Sequence, residues 1–153
     1  MNALAAQAAA LNRLLDKAAG LLQPLLLLLI RLWIFNVFFK SGLTKLDDWD
    51  TTVQLFTDEY HVPLLPPALA ALMGTFGETV LSSLLALGLA GRFAAAGLFV
   101  VNAVAVISYP DLTDVTRQFH YYWAILIAVL FCAGPGQLSL SGLWRALHAP
   151  RQG

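Results

Sequence analysis

One hydrophobic run dominates the chain: Leu25-Leu-Leu-Leu-Leu-Ile-Arg-Leu-Trp-Ile-Phe-Asn-Val-Phe-Phe-Lys-Ser-Gly42. With two preceding leucines it is long enough to cross a bilayer, since about 20 helical residues span about 30 Å of hydrocarbon. Arg31, Asn36 and Lys40 lie inside it. Because a charge near the bilayer centre costs at least about 2.5–3.5 kcal/mol, such residues usually face a partner or a wet cavity. The run therefore predicts a membrane helix that other helices cover.

The composition is that of a membrane protein. Of the 153 residues, 59% are hydrophobic and 12% are charged, with a mean hydropathy of +0.72, whereas soluble domains have about 45–50% apolar and about 25% charged residues. Nine basic and nine acidic side chains cancel, so no nucleic-acid partner is predicted. The single cysteine, Cys132, excludes an intrachain disulfide, and its apolar surroundings predict a buried thiol.

Residues 1–22 form an alanine- and leucine-rich N-terminal segment. Its apolar residues recur at steps of three and four, which favours an amphipathic helix: Leu4, Ala8, Leu11, Leu15, Ala18 and Leu22. The segment is expected either to lie on the membrane surface or to extend from it as a cytosolic tail. Pro24 marks the predicted entry to the first span.

The remaining hydropathy pattern predicts an all-α integral membrane protein, a four-helix up-down bundle within residues 23–143. The spans are placed at about residues 23–43, 67–90, 93–109 and 118–134. A short interfacial helix is expected around residues 51–60, and a small amphipathic helix around residues 139–147 leads into the tail, residues 144–153. The two-residue connection Gly91-Arg92 makes the second and third helices antiparallel neighbours.

The distribution of charge predicts the orientation. The side that holds both termini carries five basic residues, Arg13, Lys17, Arg92, Arg145 and Arg151, against Lys40, Lys45 and Arg117 on the other side. Seven acidic residues also fall on that other side, from Asp47 to Asp114. Since basic loops stay in the cytoplasm, both termini are expected to be cytoplasmic.

The polar residues at membrane depth support two interpretations. In the first they form a pocket for a quinone or similar headgroup, lined by Asn36, Lys40, Glu78, Asn102, His120 and Tyr121. Glu78 and His120 would then be candidates for proton transfer, since carboxyl and imidazole groups act as acids and bases. In the second, Glu78 pairs with Arg31 or Lys40, and the asparagines join helices through hydrogen bonds.

No metal site is predicted. The three histidines, His61, His120 and His148, are far apart in the chain and fall at different depths or on different sides. Metal sites need several such ligands close together. Haem held by two histidines of one chain is excluded for the same reason.

Several stretches together resemble the DoxX family of small four-helix membrane proteins. They are Arg31-Leu-Trp33, Phe38-Phe-Lys-Ser-Gly-Leu-Thr-Lys-Leu46, Gly77-Glu78, Gly88-Leu-Ala-Gly-Arg92, Val101-Asn-Ala-Val-Ala-Val-Ile-Ser-Tyr-Pro-Asp-Leu112, His120 with Trp123, and Gly134-Pro-Gly-Gln-Leu-Ser-Leu140. The similarity covers about residues 25–143. Ser141 is a departure, because relatives often carry an aspartate there.

The resemblance implies a four-helix bundle in a bacterial cytoplasmic membrane. It also implies an accessory or partner subunit of a membrane-associated redox system, since the family name comes from a subunit associated with quinone-linked thiosulfate oxidation. Expected partners are the lipid bilayer, a membrane or periplasmic redox or metal-handling protein, and further copies of the chain. A non-catalytic scaffold is the first alternative. A small-molecule or metal-complex transporter is the second, disfavoured because four short helices leave little room for a path.

Overall fold

The computed structural model describes residues 3–148, which are helical over most of their length. The elements are α1 (Ala3–Asp47), α2 (Trp49–Asp58), α3 (Pro67–Phe76), a π-helical turn (Gly77–Leu81), α4 (Ser82–Leu87), α5 (Gly91–Ser108), α6 (Asp114–Ala133) and α7 (Leu140–His148). Residues 3–148 contain no strand. Arg151, which contributed to the charge balance, lies outside the described residues, as do both extreme ends of the predicted terminal segments.

Within residues 3–148, three helices are long and apolar enough to cross a membrane. They are α1, α5 and the continuous rod Pro67–Leu87, which is formed by α3, the π-helical turn and α4. The fourth long helix, α6, has 20 residues, but its first turns are polar, from Asp114 to His120. The predicted all-helical membrane architecture is confirmed at this level. The link that was expected before the fourth helix is instead largely part of it.

Helix α1 is longer at both ends than the predicted first span. It runs for 45 residues through Pro24 and past Gly42, a length of about 67 Å at about 1.5 Å per residue. A proline removes one backbone hydrogen bond, and the strong helix formers on both sides maintain the helix across that point. Residues 4–23 are exposed except for Ala9, and from residue 4 onward the first buried side chain is Leu27.

Helix α1 and the rod run antiparallel, as two contacts between them show. Near one end of the molecule Gly42 of α1 faces Thr79, and near the other Arg31 lies against Gly88. Between the rod and α5, the glycines give a close approach: a Cβ atom on Gly77 would lie 2.5 Å from a methyl group of Val101.

The same helices share one apolar core. It is formed by Leu27, Ile34 and Phe38 of α1, Leu85 of the rod, Ala94, Ala95 and Leu98 of α5, and Ile127 and Leu130 of α6. Small residues on α5 allow the neighbouring backbones to pack closely, as is typical of membrane helices. Helix α6 therefore packs as a full member of the helix assembly.

Helix α2 confirms the short helix expected around residues 51–60. Asp48 caps its N-terminus by accepting hydrogen bonds from the amide and hydroxyl of Thr51, at 3.0 Å and 2.7 Å. These bonds hold the pKa of the Asp48 carboxyl below its usual range. Phe56 packs on Ala70 and Ala71 in a second, smaller core. α2 is thereby fixed against the start of the rod.

Candidate functional site

The π-helical turn in the rod positions the one acidic side chain of that helix. A π-helical turn is wider than an α-helical one and leaves backbone carbonyls without regular partners. Hydroxyl groups of the same segment bond to these carbonyls: Ser82 donates to the carbonyl of Glu78, and Ser83 donates to that of Thr79 at 2.7 Å. Two backbone carbonyls of the π-helical turn thus find hydrogen-bond donors within the same helix, as a membrane environment requires. The turn also carries the buried Glu78.

Glu78 is paired with Lys45, which comes from the last turn of α1. The Lys45 Nζ atom lies 2.7 Å from Oε2 of Glu78, and it also donates to Oγ of Ser41 at 2.9 Å. The two side chains are only 13% and 11% exposed. The pair can form because Gly42 lets the rod come close: a Cβ atom there would lie 2.6 Å from the Thr79 methyl group and 3.1 Å from Cβ of Glu78.

An apolar cavity of about 710 Å³ is lined by this pair and by residues of α2, the following loop, the rod and α5. Lys45 and Glu78 are its charged lining residues, and nearly all of the remaining lining is apolar or aromatic. Several lining side chains of the rod and α5 are also exposed at the molecular surface, among them Leu72, Phe76 and Val100. The cavity therefore opens sideways, between two membrane-spanning helices.

Tyr60 lines the same cavity from the loop after α2. Its ring stacks on Phe56 at a centroid distance of 4.7 Å and on Tyr109 at 4.9 Å. Burial raises the pKa of the Tyr60 phenol, and the nearby carboxylate of Glu78 raises it further. The phenol consequently stays protonated at neutral pH and is available as a hydrogen-bond donor.

The loop that carries Tyr60 is tied to the end of α5. The His61 amide donates to the carbonyl of Ser108 at 2.8 Å, and the Tyr109 hydroxyl donates to Oε2 of Glu59 at 3.0 Å. These bonds fasten the loop to the C-terminal end of α5. The position of the Tyr60 ring is thus set by both α2 and α5.

Asn102 and His120 form a second polar contact, between α5 and α6. Asn102 Nδ2 donates to the carbonyl of His120 at 3.0 Å, and its Oδ1 lies 2.8 Å from Nδ1 of His120. The imidazole also meets Trp123 edge to face at 4.8 Å. Neither Asn102 nor His120 lines the cavity. This contact joins two helices, which is the role that the second interpretation gave to asparagine.

The other residues of the sequence-predicted pocket point away from Glu78. Asn36 and Lys40 lie one turn apart on the exposed side of α1, and Tyr121 is exposed on α6. Of the six candidates, the structure places only Glu78 in the cavity wall.

Arg31, the other candidate for an ion pair, is buried near the opposite end of the rod. It is only 1% exposed and donates from Nη2 to the carbonyl of Leu138. Among the described residues it has no carboxylate at salt-bridge distance, and its Nε and Nη1 atoms have no hydrogen-bond partner. Glu78 is thus paired with a cation that neither interpretation considered.

Lys45 and Tyr60 are the site residues that the sequence reasoning missed. Lys45 was assigned to a loop because Gly42 was interpreted as the end of the first helix. A signal was present: the hydroxyl residues Thr79, Ser82 and Ser83 next to Glu78 are what an irregular membrane helix needs. The prediction of a buried thiol was wrong, because Cys132 is exposed on α6.

The comparison with protein families agrees with the sequence motifs. A family model described as DoxX matches residues 26–110, more than half of the chain. No curated protein and no solved structure matches the chain. The matched range contains Arg31, Lys45, Tyr60, Glu78 and the lateral cavity, and it ends before α6. The chain is a membrane protein of the DoxX family.

Proposed function

We propose that this protein is an accessory subunit of a membrane-associated redox system and that it binds a quinone or a similar small amphiphile in the lateral cavity. One observation carries the proposal: the cavity has apolar walls and a single charged pair, Lys45–Glu78, in its lining. Its volume of about 710 Å³ lies within the range of about 300–1,000 Å³ typical of small-molecule sites.

The residues present fit a ligand with an oxygen-bearing head and an apolar body. The Lys45 ammonium can donate to a carbonyl oxygen, and the Glu78 carboxylate can accept from a hydroxyl group. The Tyr60 phenol supplies a further donor in the same wall. Phe56, Leu81 and Val101 line the apolar part. A bound quinone would supply two-electron, two-proton redox chemistry, while the chain's own residues bind and orient it.

The lateral opening supports access from the membrane. A hydrophobic ligand dissolved in the bilayer would reach the site between the rod and α5 without crossing water. We place the four long helices across the membrane as an up-down bundle, in a bacterial cytoplasmic membrane with both termini in the cytoplasm. In this orientation the charged pair and α2 lie towards the outer side, where a redox or metal-handling partner would dock.

A scaffold function is the second candidate, supported by the acidic surface around α2. Asp47, Asp50, Asp58 and Glu59 are all exposed at that end of the molecule. A basic partner could dock there by charge complementarity. A scaffold function predicts that replacing these carboxylates abolishes co-purification of a partner and leaves the cavity unaffected.

The decisive experiment is organic extraction and mass spectrometry of the full chain in native-lipid nanodiscs excised directly from the membrane, without a detergent step. We expect a quinone or similar amphiphile at about one molecule per chain in the wild type. It should be lost in Glu78→Gln and in Ala105→Phe, which fills the cavity without touching the pair. His120→Ala is the matched control, because His120 lies outside the cavity and should leave the ligand in place.

Two results would overturn the proposal. One is the absence of any retained small molecule in the wild type. The other is loss of the ligand only in His120→Ala, which would point back to the α5–α6 contact.

A further inference from the structure

The outer face of α1 carries an apolar stripe that no other part of the described chain covers. Its residues follow the alternating steps of three and four of a heptad repeat: Leu4, Ala8, Leu11, Leu15, Ala18, Leu22, Leu25, Leu29, Leu32 and Asn36. The seven leucines among them expose between 46% and 79% of their surface. We call this set the α1 seam.

The α1 seam and the packed face of α1 are on nearly opposite sides of the helix. The residues that α1 buries in the core are Leu27, Arg31, Ile34 and Phe38, which occupy the c and f positions of the repeat when the seam occupies a and d. The two faces thus have separate functions. One packs against the protein's own helices, and the other is free for a partner.

The first half of the seam lies beyond the helix assembly. Residues 4–23 make no buried contact, and the core begins at Leu27. The charged residues of this extension, Arg13, Asp16 and Lys17, occupy the f, b and c positions, where a coiled coil faces water. A single amphipathic helix of this length is marginal alone. Its leucine stripe therefore requires a covering surface.

Asn36 marks the second half of the seam, at membrane depth. Its side chain is exposed and occupies an a position in line with Leu29 and Leu22. An amide that faces hydrocarbon has no partner, whereas asparagines on facing helices bond to each other. One asparagine at an a position also fixes the register of a helix pair.

We propose that the α1 seam is the interface with a second copy of this chain, forming a parallel homodimer. Copies inserted in the same orientation have parallel α1 helices, so a two-fold axis along the membrane normal brings Asn36 of each copy together. From Leu4 to Asn36 the seam is about 50 Å long; a strip about 10 Å wide would bury about 1,000 Å² in total, the lower limit for a stable interface.

Disulfide and bis-maleimide cross-linking of single cysteines in nanodiscs or liposomes tests the geometry. In a Cys132→Ser background, cysteines at seam positions Leu11, Leu15 and Leu29 should give at least five times more cross-linked dimer than cysteines at the off-seam positions Ala10 and Arg13. Equal cross-linking at both sets, or none, would overturn the interface. If the cysteines that replace Leu11 and Leu15 are shielded by lipid and do not cross-link, the extension lies on the membrane surface instead.

Dimer affinity provides a second, independent measurement. Energy transfer between labelled copies, followed as lipid is added, gives the dissociation constant in the membrane. Leu15→Glu should weaken the dimer at least tenfold, whereas Ala10→Glu, with the same new charge off the seam, should change it by less than twofold. Asn36→Val should weaken it about tenfold and Asn36→Gln much less. An unchanged constant in both Leu15→Glu and Asn36→Val would refute the proposal.

Discussion

The Lys45–Glu78 pair should show strong energetic coupling. With Nζ and Oε2 2.7 Å apart, the attraction is about 6 kcal/mol at an effective dielectric constant of about 20, and desolvation of both charges offsets a large part of it. Glu78→Gln leaves a buried ammonium and Lys45→Met leaves a buried carboxylate. Each single change should therefore cost about 3 kcal/mol of unfolding free energy.

The double variant should be much less destabilised than the sum of the single variants, because it leaves no unpaired charge. We expect it to lose about 2–3 kcal/mol, which gives a coupling energy of about 3–4 kcal/mol. Reversible unfolding in mixed micelles, followed by circular dichroism, measures all four free energies. Lys17→Met combined with Glu78→Gln is the control, because Lys17 lies on the exposed extension of α1 and the two effects should add.

The reasoning would be refuted by a coupling energy below about 0.5 kcal/mol, which is the level expected for independent sites. Lys45 also donates to Ser41 at 2.9 Å and lies in the last turn of α1, where a cation is favoured. Glu78→Gln should consequently be the milder of the two single changes. The reverse order would contradict the role assigned to the end of α1.

Three further predictions concern packing, helix contact and pH. Gly42→Ala should lower the unfolding free energy by about 1–3 kcal/mol because it overpacks the rod, whereas Gly20→Ala, with open space around it, should raise it slightly; equal effects would contradict the close approach. Asn102→Leu should cost about 0.6–2 kcal/mol and, in the NMR spectrum, change the imidazole environment of His120; an unchanged spectrum would contradict the contact. Folding raises the pKa of Tyr60, so the stabilisation that comes from its protonated phenol is complete below pH about 10 and is lost as the pH rises through the pKa of the folded state. The wild type should therefore lose more stability than Tyr60→Phe between pH 9 and pH 11. Parallel losses in the two proteins would exclude this linkage.

Hydropathy predicted the helices well, because length and apolar content are sums over many residues. The helices α2, the rod, α5 and α6 begin and end within a few residues of the predicted segments, and the membrane spans assigned to them stay a prediction. The end of α1 was missed because a glycine can either end a helix or let a neighbouring helix pack closely against it. Gly42 lies inside α1 and allows the close packing of the rod. The continuity at Pro24 was missed because the loss of one hydrogen bond does not break a helix with strong formers on both sides.

The candidate site was harder to predict than the fold. A sequence gives the depth of a membrane residue through its position along a helix, but not which face of the helix meets which neighbour. Asn36 and Lys40 were predicted to line a pocket with Glu78, yet both are exposed on α1. Glu78 is buried in a π-helical turn and pairs with Lys45 of α1. Periodicity assumes a regular helix and therefore reveals neither the turn nor this partner.

Under the proposed function, the sideways mouth of the cavity determines which ligand concentration controls its occupancy. A ligand that enters between the rod and α5 is drawn from the hydrocarbon, so the relevant quantity is its mole fraction among the lipids and not its molarity in water. Abundant hydrophobic molecules in a native bilayer can then keep a weak site full. Detergent extraction dilutes those molecules into micelles and empties the same site, so an affinity for this protein has meaning only together with a stated lipid-to-protein ratio.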